Sequence, residues 1–494
     1  MSPHNQPPSM DTKAMPRLTD NMGNGLFATK DINVGEDVLK TNRPFVAVLD
    51  TPKLEDTCSG CFGKKQFFDG VKPPKACTGC KVVRYCDRAC QSKDWKFAHS
   101  LECSIYCKLQ PKILPNFARA VLRIILRRAN QKYDDSEFDI FQMLETHAAE
   151  IRDTNQDQWN RILLTAKAVK EYSRTDMKEE SIASFLAKID LNTFNLVNPL
   201  YDRVGLYLHP YAAFINHSCD YNSVVGFDGD ELFIKATRPI KADEQIFISY
   251  VDATYPYNVR RKELAERYYF ECNCSKCEQG KETREDQFLP TSLDPSTLED
   301  IDERARNLVA SASADNDALQ SMEKLRSALR MLRETSAWPI TRQPYVSLRD
   351  ELIIAMAAAK QFQSAFVQMV IRYLRVDPIV YPYEGHPIRQ VHTYALVKVA
   401  MNLNRNHAIG SPDAVFQKFP KDMDLIIWVL LSQLVKSQQT ACTVPSFREL
   451  VNSTYRTVDG EFKKYGLEPE KFVTEIKEEW EKLEATADEA LKME

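Results

Sequence analysis

The sequence predicts an α+β protein, and three observations predict it. Short β-rich runs lie near the start, from Gly23 to about Asp50, and again from Leu191 through VVGFDGDELFIKATRPI and EQIFISYVD to Asp252. A cysteine-rich block and a helical stretch lie between them. From Thr297 onward nearly every segment carries an apolar helical period. At roughly 100–200 residues per domain, the length suggests about three units.

Composition narrows the class. The 494 residues are 44% hydrophobic and 27% charged, which excludes a wholly disordered chain and leaves material for a sizeable core. Only 15 residues are glycine, well below the usual ~7%, as fits a helix-rich protein. A net charge of −4 excludes a polycation seeking nucleic acid as a whole. The opening MSPHNQPPSMDTKAM has no apolar core or small-residue cleavage pattern, so no secretory signal is expected. The longest pure apolar run, Leu352 to Ala359, is far short of the ~20 residues of a membrane span. The expected setting is therefore cytoplasm and nucleus, with no membrane association. Disulfides are rare there, so the clustered cysteines among the 13 are read as metal ligands first.

The elements follow in order. Residues 1–20, polar and proline-containing, are expected to be a flexible tail. Residues 21–57 read as strands, with Gly23 and Gly25 at a turn before VLK and PFVAVL. Residues 58–103 hold the first cysteine block. Residues 104–190 read as helices, and ILPNFARAVLRIILRRAN places Leu114, Phe117, Val121, Leu122 and Ile125 on one face. Residues 191–251 are again β-rich, with a hairpin signal at Asp228-Gly229. Residues 252–279 end in a second cysteine cluster. Residues 280–296 read as a polar linker, and 297–494 as a helical array in which no clean 34-residue period emerges.

The first cysteine block reads Cys58-x2-Cys61, fifteen residues, Cys77-x2-Cys80, five residues, Cys86-x3-Cys90, eight residues, His99-x3-Cys103. Seven cysteines and one histidine suffice for two closed four-coordinate zinc sites. The bland alternative is a set of buried or solvated thiols. The stretch YCDRACQSKDWKFAHSLEC, including Tyr85, Gln91 and Trp95, resembles a MYND zinc finger. That resemblance implies that Cys58, Cys61, Cys86 and Cys90 hold one zinc and that Cys77, Cys80, His99 and Cys103 hold the other. It also implies proline-containing peptides as partners. The fifteen-residue gap after Cys61 is longer than the family's usual loop. Between Cys58 and Cys103 there are nine Lys/Arg against four Asp/Glu, so a weak nucleic-acid contact is the alternative for this basic finger.

A second constellation has four parts in a fixed order. They are Gly23-Asn24-Gly25-Leu26-Phe27-Ala28, the NHSC of AFINHSCDYN, the EQIFISYVD run containing Tyr250, and Cys272-x-Cys274-x2-Cys277. Together with the finger they resemble the SET-and-MYND protein-lysine methyltransferases over about residues 20–280. The helical C-terminal third and Tyr381-x4-His386-Pro387 add a weaker match. The resemblance implies a SET β-fold with a pseudoknot, an inserted MYND zinc finger and helical insert, and an all-α C-terminal domain similar to tetratricopeptide arrays.

It further implies S-adenosylmethionine as cofactor, at Gly23, Asn24, Gly25, Asn216 and His217, with Phe270 stacked on the adenine. His147, in LETH, matches a cofactor position, with a surface helix histidine as the alternative. Tyr250 is implied as the catalytic tyrosine beside the reacting methyl. Phe194 and Tyr268 are candidates for the lysine channel, with core packing as the rival. Cys219, Cys272, Cys274 and Cys277 complete three zinc ions per chain, which leaves Cys107 and Cys442 as ordinary thiols.

Methyl transfer to lysine requires a neutral amine, whereas free lysine has a pKa near ~10.4. An apolar channel disfavours the charged form, aromatic walls still attract the cation, and alignment supplies much of the remaining rate. The expected substrates are histone tails or cytosolic proteins, and a monomer is expected. The alternative is a catalytically inactive MYND/SET scaffold or transcriptional co-regulator.

Overall fold

The computed structural model describes residues 10–68, 72–315, 317–405, 420 and 422–494. It divides into two units. The first comprises Met1–Tyr250, Glu263–Cys272 and Val444–Phe447; the second comprises Val251–Lys262, Asn273–Thr443 and Arg448–Glu494.

In the first unit the β-rich runs form small sheets. Strands β1 (Met10–Thr12) and β2 (Ala14–Leu18) come first. This corrects the flexible-tail reading: residues 10–18 pair with neighbours, and residues 1–9 lie outside the described residues. The polar composition hid an alternation in which Met10 and Ala14 point into the core. Strands β3 (Asn24–Ala28), β4 (Asp37–Thr41) and β5 (Val46–Leu49) follow. The finger contributes β6 (Lys75–Ala76), β7 (Arg84–Tyr85), α1 (Arg88–Asp94) and α2 (Ser100–Leu109). The helical insert is α3 (Asn116–Ala129), α4 (Asp135–Gln142), α5 (Ala148–Thr154), α6 (Gln156–Ser173) and α7 (Glu179–Asn192).

The later strands are β8 (Phe194–Val197), β9 (Arg203–Leu208), β10 (Asn216–His217), β11 (Ser223–Asp228), β12 (Glu231–Ala236) and β13 (Phe247–Ile248). One sheet runs β1-β4-β12-β11 and another β5-β9-β8, while β2 pairs β3. β11 and β12 form the hairpin signalled by Asp228-Gly229, with Asp228 opposite Glu231.

Strand β5 pairs with β9 on one edge only. Its other edge is covered by three buried arginines of α3. Arg119 donates to Leu49 O, Arg123 to Ala47 O and Arg127 to Phe45 O, each at 2.7 Å. The spacing has a simple cause. Four helical residues rise about 6 Å, and two strand residues about 6.7 Å. An arginine on each turn therefore meets every second carbonyl, and those carbonyls point the same way. Carbonyls on the edge that β9 leaves open become acceptors for charged donors, and Phe45 O accepts from Tyr133 Oη at 2.9 Å as well.

His209, which follows β9, is 4% exposed, and its Nδ1 has no hydrogen-bond partner among the described residues. Burial, with Arg43 adding to it, pushes the imidazole down to about 4. The unfolded chain takes up this proton near ~6.5, so it binds more protons than the fold between those two values. Stability from this group is complete above ~6.5 and is lost as pH falls toward 4. By pH 5 the loss is about 2 kcal/mol. In urea unfolding at pH 7.5 and pH 5, His209→Gln is expected to lose less stability than the wild type. An unchanged difference would sink this account.

The second unit is helical. It takes the first half of α8 (Tyr257–Tyr268), whose second half counts with the first unit. Then come α9 (Ser275–Glu278), α10 (Pro295–Ser313), α11 (Ala318–Glu334), α12 (Tyr345–Ala358), α13 (Phe362–Ile371), α14 (Asp377–Val380) and α15 (Pro387–Arg405). α16 (Met423–Ser437), α17 (Pro445–Lys464) and α18 (Val473–Met493) complete it, α17 giving its first turn to the first unit. Successive pairs α10–α11, α11–α12, α12–α13 and α15–α16 pack on each other. No helix among the described residues is long and apolar enough to cross a membrane.

The linker reading of 280–296 is also corrected. Thr283 and Glu285 are buried, and Phe288 packs edge-on against Trp338 at 4.8 Å. The polar side chains there are partnered rather than solvated: Lys276 and Arg284 both pair with Glu285.

Candidate functional site

Two four-ligand groups form in the finger. The ligand atoms of Cys58, Cys61, Cys86 and Cys90 all lie within 4.8 Å of one another, as do those of Cys77, Cys80, His99 and Cys103. Cys61 Sγ is 3.8 Å from Cys86 Sγ, and Cys77 Sγ is 3.8 Å from Cys103 Sγ. A tetrahedral zinc with bonds of ~2.3 Å holds its sulfurs about 3.8 Å apart, so the donor sets fit zinc in number, chemistry and spacing. Sequence builds this locally. Asp87 caps α1 by accepting from Cys90 N at 2.8 Å. At Gly60 a Cβ would stand 2.3 Å from Cys90 O, so only glycine lets the Cys58–Cys61 turn close on α1. A groove of about 350 Å³ beside the second group is lined by Gln91, Ser92, Trp95 and Thr78 among others, and Trp95 is 44% exposed.

Cys219 and Cys272, both buried in the first unit, bring their sulfurs within 4.8 Å. Cys274 and Cys277, in the second unit, do the same with each other. Cys107 is exposed and Cys442 buried.

The other constellation gathers around β13. Its parallel pairing with β10 sets Asn216 opposite Phe247 and His217 opposite Ile248. Just before β13, the chain pairs with β3: Ala28 N donates to Glu244 O at 2.9 Å and Ile246 N to Leu26 O at 2.7 Å. One extended segment, 244–248, is thus held between the Gly23–Gly25 turn side and the NHSC segment. Asn222, fully buried, locks it. Its Nδ2 donates to Gln245 O at 2.8 Å, and its Oδ1 accepts from Phe247 N at 2.8 Å.

The Gly23 turn carries φ +64°. Asn216 Nδ2 donates to Asn24 O at 3.1 Å. A Cβ on Gly25 would stand 2.4 Å from Gln245 Nε2 and 3.1 Å from Asn216 Nδ2, so two side-chain amides converge on that glycine. Gln245 Nε2 is buried and has no hydrogen-bond partner among the described residues.

Tyr250 N donates to His217 Nδ1 at 2.9 Å, and Tyr250 Oη donates to Ile215 O at 2.7 Å. Around it stand His217 at 5.3 Å, Tyr268 at 4.9 Å and Phe270 at 6.5 Å between ring centroids. Burial, and secondarily Tyr268, pushes the Tyr250 phenol well above its usual value. It therefore stays protonated at neutral pH.

His147 precedes α5 in a left-handed conformation (φ 45°) rather than lying within a helix. Its ring meets Tyr269 at 5.1 Å, and Tyr269 is also left-handed, at φ 58°. Phe194 packs partly buried against the core and is not among the rings that meet Tyr250. Sequence reading missed Asn222, Gln245 and Tyr269. Asn222 closes the AFINHSCDYN segment and Tyr269 precedes Phe270, but nothing in their spacing marked them.

Residues 23–251 match the family model for the SET domain. The chain is 29% identical over 353 residues to the SET domain and MYND-type zinc finger protein 6 of Schizosaccharomyces pombe, covering 71% of this chain and 65% of that protein. It is 28% identical over 269 residues to the histone-lysine N-methyltransferase SMYD3 of Mus musculus, covering 53% and 60%. It is 29% identical over 264 residues to the N-lysine methyltransferase SMYD2-A of Danio rerio, covering 53% and 59%. The chain thus spans less than two thirds of the length of each of these relatives.

Proposed function

We propose that this chain, which carries a SET domain over residues 23–251 and is related to the SET-and-MYND proteins, is a protein-lysine N-methyltransferase using S-adenosylmethionine. The observation that carries the reading is the convergence of Gly25, Asn216, His217 and Tyr250 on one segment beside an aromatic cluster. The residues fit the cofactor: the buried, unpartnered Gln245 Nε2 beside Gly25 offers a donor, and the absent Cβ leaves the backbone approachable. When bound, S-adenosylmethionine supplies a methyl group on an electron-poor sulfonium.

The chain's own residues do the rest. Asn216 and the Gly23–Gly25 turn hold one wall. The Tyr250 and Tyr268 rings, 4.9 Å apart, give an apolar wall beside which a charged amine is disfavoured, so the lysine can enter neutral. The same ring faces attract its cationic form on the way in and the methylated product afterwards. The Tyr250 hydroxyl, fixed by Ile215 O, presents its oxygen lone pairs to the reacting centre as a positioned dipole. The test is incubation of the full chain with labelled cofactor and a panel of histones and cytosolic proteins, with methyl-lysine identified by mass. Cofactor binding without any labelled lysine would overturn the reading and favour a scaffold.

Two partner readings belong with it. The groove beside Trp95 favours a proline-containing peptide at the finger, because an exposed indole offers the flat apolar face that proline packs on. Nucleic acid is the weaker reading there, since Lys64, Lys65 and Lys93 are already paired with carboxylates. Three zinc ions per chain belong to the same proposal, the third on cysteines outside the finger. Emission spectroscopy on the purified chain is expected to give a value near three. A value near two would remove the third site, and one near zero the finger as well.

A further inference from the structure

The second zinc group of the finger adjoins a buried set of charges that the proposed reaction does not use. His99 and Glu102 are both fully buried. His99 Nε2 is 3.6 Å from Cys80 Sγ, so Nε2 is the nitrogen that faces the other ligands. Nδ1 faces away and finds no hydrogen-bond partner among the described residues, and Glu102 Oε2 stands 3.9 Å from it. An imidazole that gives Nε2 to a metal carries its proton on Nδ1. A buried N–H of that kind needs an acceptor, and the gap to Glu102 is about 1 Å beyond a charge-assisted hydrogen bond.

Glu102 is positioned from its other side. Arg123 grips it in two places, Nε to Oε1 at 2.6 Å and Nη2 to Oε2 at 2.8 Å. The third arm of the same guanidinium, Nη1, donates to Ala47 O of β5 at 2.7 Å. Asp94, hydrogen-bonded by Tyr85 Oη at 2.7 Å, lies 3.6 Å from Arg123 Nη2. The charges run in one line, from the His99 ring through Glu102 to Arg123 and the edge of a core strand. A carboxylate on the far nitrogen of a metal-binding histidine fixes its tautomer and raises its basicity, and loss of such a partner typically costs about 10–100-fold in metal affinity.

We propose that Glu102 is the outer carboxylate of the His99 zinc site, oriented by Arg123, so that one zinc of the finger is coupled to strand β5 of the core. Glu102 and Arg123 are positioning residues here and touch no substrate. The inference rests on the zinc reading above, and wild-type metal content tests that premise separately: fewer than two zincs per chain would overturn both.

The experiment is zinc release from the full chain to an excess of a chromogenic chelator, followed in equivalents. In Glu102→Gln, a single zinc equivalent is expected to leave at least about tenfold faster, with the rest at the wild-type rate. A merely structural role would speed all equivalents alike, and that result overturns the proposal, as does no change at all. In a His99→Cys background the thiolate has no second nitrogen to satisfy, so adding Glu102→Gln is expected to change nothing; a further tenfold loss there overturns it. Should Glu102→Gln fail to fold, Glu102→Gln with Arg123→Gln and Asp94→Asn removes the three buried charges together, and the same single-equivalent split is expected.

Discussion

Tyr250→Phe is expected to slow methyl transfer by about 100-fold or more while leaving cofactor affinity within about twofold. The substitution removes one oxygen and keeps the ring, so the packing against His217, Tyr268 and Phe270 is retained. What is lost is a hydroxyl held by Ile215 O at 2.7 Å and kept protonated by burial. Single-turnover transfer of labelled methyl measures the first quantity and calorimetry the second. A variant that transfers at the wild-type rate would remove Tyr250 from the catalytic role. A variant that no longer binds cofactor would make the residue part of the binding wall instead.

Asn222→Ala is expected to cost about 3 kcal/mol of stability, and to abolish cofactor binding in whatever fraction remains folded. Alanine leaves the Phe247 N–H and the Gln245 carbonyl without the partners that the fully buried Asn222 gives them. Each such orphan costs ~1–3 kcal/mol. The same two bonds hold segment 244–248 in register with β3 and β10, so the loss reaches Gly25, Asn216 and Tyr250 together. Urea unfolding and calorimetry on one preparation check both parts. A stability change below ~1 kcal/mol, or cofactor affinity equal to wild type, would show that the ladder alone sets this register.

The sequence was most legible where chemistry demands fixed residue types at fixed spacing. Pairs such as Cys58-x2-Cys61 and Cys77-x2-Cys80 need only a tight turn, and a turn is a local property. The hairpin at Asp228-Gly229 is local too, and the helical periods beyond Thr297 match α10 through α18 in kind if not in their ends. The fold class and the relationship to SET-and-MYND proteins could therefore be read from short motifs in order.

The rest depended on partners distant in the chain. The arginines of α3 look like a charged stripe in ARAVLRIILRR, where the apolar positions alone suggested the buried face. They are buried because β5 lies alongside with an unpaired edge, and only the packed structure says which carbonyls they meet. Residues 10–18 read as a tail because each short strand gains its hydrogen bonds from β3 and β4, not from itself. The segment 280–296 read as a linker because its polar groups find their partners only after folding.

By itself, then, the sequence determined the ligand pairs, the order of the motifs and the kind of each long element, since those rest on local geometry and residue chemistry. Tertiary structure alone decided that Asn222 locks the site, that Gln245 and Asn216 converge on Gly25, and that Arg123 holds Glu102 beside His99. Asn222 and Glu102 are fully buried polar groups, and a buried polar group is satisfied by whatever the fold brings to it, from any distance along the chain.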